Sequence, residues 1–462
     1  MSGTRETTPR APAPETASPV PVASGRWPGL GHAAALARHR LGYLQSLRAE
    51  GDAVRVYLGR RPVHLLNSPD LIRRLLAADS SGSLDKGRFF DKMRPVLGDG
   101  ILTCRSAAHK VQRPLVQPAF HQERIRRYVR IMASEAAATS GGWTAGAVVW
   151  VDREMHDLAL RIVTRSLFSS DVGVRAAEEC FRLFPLVSAG VARRTLSPVT
   201  WWERVPTPGN RRFDAAVARL HQVIDEVVSA YRTDGRDHGD LLSMLLAARD
   251  EDSGAGLSDA QLRDEALTIM GAGTETTSVS LSWLFYELDR HPEIRERVEA
   301  EVDAVHADGE DLGFEHVRQL PYTQQVVSET LRLHAPIWLL MRRAAEPLDL
   351  GGGVRLTPGD EVLFSPTALH RDPALHADPL RFDPDRWSPE RRNGVDRAAY
   401  LPFGAGSRRC IGDVFARTEM TVITAAVVRR WRLTAPPGLT VREVASGSLE
   451  PDALPMTARP RD

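Results

Sequence analysis

Residues 401–412 read L-P-F-G-A-G-S-R-R-C-I-G, and the cysteine near their end sits in a setting that packing alone does not explain. Gly404, Gly406 and Gly412 permit tight turns and close approach of the backbone to a flat ligand. The apolar pattern that follows, through A-R-T-E-M-T-V-I-T-A-A-V-V, predicts a helix starting just after Cys410 and ending near Arg430. Cys410 therefore stands at a helix N-terminus, where aligned peptide dipoles favour the thiolate, the form that binds metal. Arg408 and Arg409 add positive charge beside it. A lone cysteine is commonly a small buried hydrophobe, and Cys104 and Cys180 are read that way.

Working outward, a longer helix is predicted from Ser258, with Gln261 three residues on as a capping box, to about Arg290 before Pro292. At 1.5 Å per residue it spans roughly 50 Å. Within it stands G-A-G-T-E-T-T (271–277). Each interior glycine costs about 1 kcal/mol relative to alanine. A groove for a ligand against the backbone accounts for them, and so does a close crossing of two helices. Thr276 can bend the helix by bonding back to a carbonyl, and with Glu275 it forms a carboxylate–hydroxyl pair. A further helix, from about Thr323 to His334, carries S-E-T-L-R-L-H-A-P (328–336), with Glu329 and Arg332 on one face. Residues 53–67 read as a β-hairpin and 341–365 as a second strand-rich stretch, with Gly351 to Gly353 as a turn. The expected class is mainly α, a large helical domain over 25–462 with a smaller β-sheet region. Residues 1–24, rich in Pro, Ala, Thr and Glu, read as a disordered tail.

The 462 residues are 42% apolar and 26% charged, ample for a large core. Sixty basic residues against fifty-nine acidic ones give a net charge of +1, which argues against nucleic acid as the main partner. Three scattered cysteines exclude a disulfide framework and a four-cysteine zinc site, and suggest the cytoplasm. No apolar run approaches the 18 or so residues of a membrane span. Histidines such as His121 and His156 lack paired metal spacing, and neither G-x-S-x-G nor G-x-x-x-x-G-K occurs.

Phe403, Gly406, Arg408, Cys410 and Gly412 match the haem-binding loop of the cytochrome P-450 family position for position, and the chain resembles that family from about Trp27 to beyond Gly447. The resemblance implies the family fold, with haem b (iron protoporphyrin IX) between the long helix and the cysteine loop. Cys410 would be the axial thiolate of the iron, flanked by Phe403, Gly404 and Arg408, with Ala272 and Gly273 on the other side. Glu275 and Thr276 resemble the acid–alcohol pair that delivers protons to dioxygen, although the family more often carries Asp at the acid position. Arg386, in F-D-P-D-R-W (382–387), would join Glu329 and Arg332 in a structural triad. His109 and Arg113, in A-A-H-K-V-Q-R-P-L-V-Q-P-A-F (107–120), resemble propionate contacts. Arg342 resembles a third, with its neighbour Arg343 as the alternative. Segments resembling the family's substrate-facing positions contain Phe89, Phe90, Met270, Ala272, Ile337, Trp338, Leu339 and Leu340; plain core packing is the competing account.

The expected function is therefore insertion of one atom of dioxygen into a small apolar molecule. The segment A-P-I-W-L-L-M-R-R-A-A-E (335–346) resembles actinobacterial enzymes acting on sesquiterpenes, which points to a terpenoid of secondary metabolism. A fatty acid, a polyketide macrocycle and a steroid are the alternatives. A peroxide-driven relative typically lacks the acid–alcohol pair. A haem-thiolate sensor without turnover has no need of it. Only 52 residues follow Cys410, too few for a reductase domain. Electrons from NAD(P)H are thus expected through a separate ferredoxin reductase and ferredoxin, with the chain itself a monomer. The basic stretch Q-E-R-I-R-R-Y-V-R (122–130) is either the ferredoxin's docking face or a solvated helix face.

Overall fold

The computed structural model describes residues 20–196, 205–251, 253–306 and 312–461. The first third contains α1 (Ala33–Arg38), α2 (Arg40–Ser46), β1 (Ala53–Leu58), β2 (Arg61–Leu66), α3 (Pro69–Asp79), β3 (Leu84–Asp85), α4 (Arg88–Leu97), α5 (Ser106–Val116) and α6 (Gln122–Gly141). There follow β4 (Val148–Trp150), α7 (Val151–Leu167), α8 (Asp171–Leu196), α9 (Pro208–Asp234), α10 (Leu241–Ala247) and the long α11 (Asp259–Arg290). Next come α12 (Pro292–Val305), α13 (Phe314–Arg318) and α14 (Pro321–Leu333). Strands β5 (Leu340–Ala344), β6 (Leu348–Gly351), β7 (Val354–Leu356) and β8 (Glu361–Phe364) precede α15 (Pro366–His370) and α16 (Asp413–Val428). The chain closes with β9 (Trp431–Thr434), β10 (Glu443–Ala445), β11 (Leu449–Pro451) and β12 (Pro455–Pro460).

The capping box fixes the start of α11. Ser258 Oγ accepts from the Gln261 backbone N–H at 3.3 Å, and Gln261 Oε1 accepts from the Ser258 N–H at 2.9 Å. The five strands of the main sheet run β1-β2-β8-β5-β3, with β2 and β8 parallel and the other pairs antiparallel. A three-stranded sheet, β4-β12-β9, and the hairpins β6–β7 and β10–β11 complete the β structure. Between β6 and β7 the three consecutive glycines take φ of 75°, 58° and 81°, left-handed values that account for three glycines in a row.

The main apolar cluster unites the helices around α11, which packs on α7 and α16; Met155, Leu158, Leu281, Leu284, Val422 and Ile423 lie within it. Two smaller clusters cover the faces of the main sheet. Each fully buried leucine or isoleucine contributes roughly 2 kcal/mol. Among the described residues no helix is long and apolar enough to cross a membrane.

One boundary differs from the sequence reading. Residues 1–19 lie outside the described residues, but Val20 to Ser24 belong to the fold and not to the tail. The Arg55 N–H donates to Pro21 O at 2.7 Å, the Ala23 N–H donates to Arg55 O at 3.0 Å, and Val20 and Ala23 are buried. These residues gain order from pairing with β1, a partner that no local pattern announces.

Candidate active site

The cysteine loop is held from below by a buried polar scaffold. Arg332 forks onto Glu329 through Nε (2.9 Å) and Nη2 (2.8 Å), and both residues are fully buried. Arg386 Nε reaches the same carboxylate at 3.2 Å, Trp387 Nε1 at 2.9 Å and the Asp383 N–H at 2.9 Å. The remaining Arg332 donors meet the carbonyls of His370, Pro379 and Arg381. A charge so enclosed is tolerable only when every hydrogen-bonding position is filled, as it is here. His370 carries the connection onward: its Nε2 accepts from the Leu401 N–H at 2.8 Å, and its Nδ1 lies 3.1 Å from Arg332 O. Burial, aided by His376 and Arg332, holds its pKa well below the ordinary value, so the ring is neutral, with the proton on Nδ1. His370 was not singled out from sequence, because its partners lie 31 and 38 residues away.

Within the loop the Cys410 N–H donates to Phe403 O at 2.9 Å, and the Arg409 N–H donates to Gly406 O at 3.1 Å. Gly406 has φ of 74°, and a Cβ there would stand 2.5 Å from Leu76 O. Arg417 lies over the Phe403 ring at 4.9 Å, and Gly404 takes a φ of 65°. Cys410 precedes α16 by three residues; it is walled by protein on most sides, yet its side chain keeps open surface. Burial pushes its thiol up, against the opposing pull of the Gly412 N–H, Lys86 and Arg113. The pull of the helix N-terminus toward the thiolate is present, and burial opposes it. A thiolate here calls for a bound cation, and a metal supplies one.

A group of basic side chains gathers beside this cysteine. Lys86, His109, Arg342 and Arg408 are buried, and Arg113 is half-buried. Burial, with Arg342 and Arg408 adding to it, draws the Lys86 pKa down to about 7. Burial, then Arg408, Arg113 and Lys86, brings His109 down to about 3. Arg408 donates to Cys104 O at 3.0 Å and Ser106 Oγ at 3.2 Å, and Arg113 donates to Arg409 O at 2.8 Å. Asp79 answers Arg342 at 3.1 Å, while Arg343 turns away to Asp91 at 2.9 Å. Cationic character exceeds the carboxylates at hand, a donor set that suits a flat ligand bearing two carboxylates. An exposed cysteine beside a cationic pocket therefore fits haem. Among the described residues no cluster of three or more His, Cys, Asp or Glu could hold a bare metal ion. Sequence reading had missed Lys86, which packs its ammonium 4.9 Å over the Phe90 ring.

In the middle of α11 Ala272 is exposed, and Gly271, Gly273, Glu275 and Thr276 are half-buried. Thr276 Oγ1 donates to Ala272 O at 2.8 Å, bending back along the helix. Glu275 Oε1 instead accepts from Ser448 Oγ at 2.8 Å, so the acid and the alcohol are chain neighbours without a bond to each other. The glycines serve the helix crossing: a Cβ on Gly271 would meet Phe184 of α8 at 3.2 Å, and one on Gly273 would meet Val163 of α7 at 3.1 Å. Gly273, half-buried, lies beside the exposed Ala272. Two residues expected to face substrate are also closed into core. Met270 is fully buried on the face that α11 turns to its neighbours. Trp338 packs among Leu44, Leu47 and Leu363 and donates to Ser446 O at 3.1 Å. Leu339 and Leu340 pack on the two sheet-side clusters. Phe89 is half-buried, in edge contact with Phe90 at 5.2 Å, and Ile337 is half-buried.

The comparisons with known proteins agree with this geometry. The family model described as cytochrome P-450 matches residues 21–454. The chain is 42% identical to cyclooctat-9-en-7-ol 5-monooxygenase of Streptomyces melanosporofaciens, over 99% of this chain and 100% of that one. It is 39% identical to pentalenene oxygenase of Streptomyces avermitilis, over 92% and 93% of the two chains. Among solved structures, the haem domain of cytochrome P-450DA superposes with a TM-score of 0.86 at 27% identity, covering 96% of this chain and 98% of that one.

Proposed function

The chain belongs to the cytochrome P-450 family and is a haem-thiolate monooxygenase, and from that premise we propose that it oxidises a terpenoid at a C–H bond. The observation that carries the site assignment is the open Cys410 side chain beside Lys86, His109, Arg113, Arg342 and Arg408. Cys410 would ligate the iron, and the cations would take the propionates, with Arg342 in place of Arg343. Haem bound there supplies dioxygen activation and transfer of one oxygen atom to substrate. The protein's part is positioning and proton delivery. Thr276 Oγ1, donating to Ala272 O, keeps its lone pairs free to accept a proton and pass one on. Glu275 replenishes it as a general acid. The Glu329, Arg332 and Arg386 scaffold holds the loop and takes no part in the chemistry.

The substrate proposal draws on the relatives named for cyclooctat-9-en-7-ol and pentalenene, and on the apolar surface of Ala272, Phe89 and Ile337. We place the protein in the cytoplasm as a monomer, with electrons passing from NAD(P)H through ferredoxin reductase and ferredoxin. Arg126, Arg127 and Arg130 are exposed on α6, which packs along α16, and Arg409 is exposed on the loop; together they offer an acidic ferredoxin a basic face.

An optical titration with sesquiterpene hydrocarbons, a fatty acid, a steroid and a macrolide tests the reading. Displacement of water from ferric iron shifts the Soret band. A saturable shift with the terpenes alone is expected. A shift with the fatty acid or steroid and none with terpenes would discard the substrate class while leaving the haem site intact.

A further inference from the structure

Ser446, Gly447 and Ser448 form the turn between β10 and β11. Ser448 is 1% exposed, and its hydroxyl donates to Glu275 Oε1 at 2.8 Å. A Cβ on Gly447 would stand 3.3 Å from the same oxygen, so the turn lies directly against the carboxylate. On its other flank, Ser446 Oγ donates to Glu450 Oε1 at 2.7 Å. The turn is pinned from both sides. Trp283 Nε1 of α11 donates to Leu449 O at 2.8 Å, Trp338 Nε1 donates to Ser446 O at 3.1 Å, and the Leu449 N–H donates to Pro336 O at 2.9 Å. Glu450 is half-buried and so reaches solvent. The charged groups facing it are Glu275 of α11 and Asp152 and His156 of α7, both half-buried themselves. Burial raises the Glu450 pKa; the charges of Glu275 and Asp152 add to that, while the Ser446 hydrogen bond and His156 oppose it.

We propose that this turn is the supply side of the proton relay, with Ser448 as the positioning residue that holds Glu275 and Glu450 as the carboxyl that draws protons from solvent to restore it. The proposal rests on the relay assigned above. For each proton that goes toward Thr276, Ser448 Oγ first passes its own proton to the Glu275 carboxylate, which hands one on and is a carboxylate again, and Ser448 receives another that originates at Glu450, through Ser446 and solvent water. Glu450 is then reprotonated from bulk water. Each cycle moves one proton inward and returns every side chain to its starting state, and no electrons move. Among the described residues no cation pairs with Glu275, and the pinning indoles explain how Ser448 can hold it: a hydroxyl on a fixed turn positions the carboxylate yet leaves it able to accept a proton.

The test uses the full-chain haem protein and its Ser448→Ala, Ser448→Thr, Glu450→Gln and Glu275→Gln variants. Infrared titration of the ferric protein should show carboxylic-acid absorption persisting above the ordinary carboxylate range, to which the buried Glu265 and Glu419 also contribute. The wild-type minus Glu450→Gln difference should isolate the Glu450 band, and that band should titrate at lower pH in a Glu275→Gln background, where a repelling charge is gone. With pentalenene as probe, product per electron should fall about tenfold in Ser448→Ala and in Glu450→Gln, with a larger solvent deuterium isotope effect. Ser448→Thr should restore both. If product per electron and isotope effect stay at wild-type values in both variants, or if the band ignores Glu275→Gln, the proposal is overturned while the thiolate spectrum of reduced, carbon monoxide-bound protein stands. Absence of that spectrum in the wild type would instead overturn the underlying reading and this proposal with it.

Discussion

Cys410 is a residue at which opposite influences meet: burial favours the thiol, whereas the Gly412 N–H, Lys86 and Arg113 favour the thiolate. A bound iron settles the contest, so replacing the sulfur should remove more than a contact. Cys410→Ala is expected to lose the thiolate spectrum and all monooxygenation; retained turnover in a product assay would sink the assignment. Thr276→Ala should differ in kind. It should bind haem and substrate as the wild type does while product per electron falls roughly tenfold or more, the electrons reappearing as peroxide. Unchanged coupling in a combined peroxide and product assay would remove Thr276 from the relay. Cys410, Glu275 and Thr276 were legible in the sequence because their chemistry is written in adjacent residues. Lys86, His370 and Ser448 were not, since each is defined by a partner remote in the chain. Ser448 lies 173 residues from Glu275.

Among the elements, legibility follows whether a local pattern or a neighbour decides. Ser258 and Gln261 announce the start of α11 to the residue, because capping is a bond between residues three apart. Which face of α11 meets open space depends on what packs against it, so the sequence left Met270 between pocket and core, and the structure buries it in core. Trp338 was open in the same way: its large apolar ring suits a pocket, but the main sheet and the β10–β11 turn claim it. The scaffold under the cysteine loop shows the same dependence in energetic form. Arg332 satisfies Glu329 and three carbonyls at once, so Arg332→Ala takes two donors from a buried carboxylate that keeps Arg386, Trp387 and the Asp383 N–H, and removes this partner from three carbonyls. A loss of about 3–5 kcal/mol in urea unfolding is expected, with poor haem retention. A loss below about 1 kcal/mol would show that the loop does not depend on the triad.

For the molecule as a whole, buried or tightly paired carboxyls set opposing pH limits. Burial would raise Glu287 and Glu443, but hydrogen bonds from His291 and His334 to the first, and from Arg371 and His334 to the second, hold both near a pKa of about 2 against an ordinary 4.5. Their contribution is complete above about pH 4.5 and is lost as pH falls toward 2. Glu265 runs the other way. Burial, with Asp264 adding, lifts it to about 7 despite the Ile101 N–H, so its contribution is complete below 4.5 and fades as pH rises through 7. Melting curves should therefore show Glu265→Gln gaining on the wild type between about pH 5 and 8; a parallel pH profile for the two proteins would contradict this. The cationic pocket has a consequence of the same thermodynamic kind for the prosthetic group's arrival. Lys86 near 7 and His109 near 3 are held down by burial and in part by the arginines around them, with Lys86 adding to the effect on His109. Two incoming propionates reverse that field, so Lys86, half protonated near pH 7, should draw up to about half a proton per chain on loading, against the one proton that Cys410 gives up on becoming a thiolate. Calorimetry in two buffers of different ionisation enthalpy would count the net proton, and Lys86→Met should release about half a proton more than the wild type.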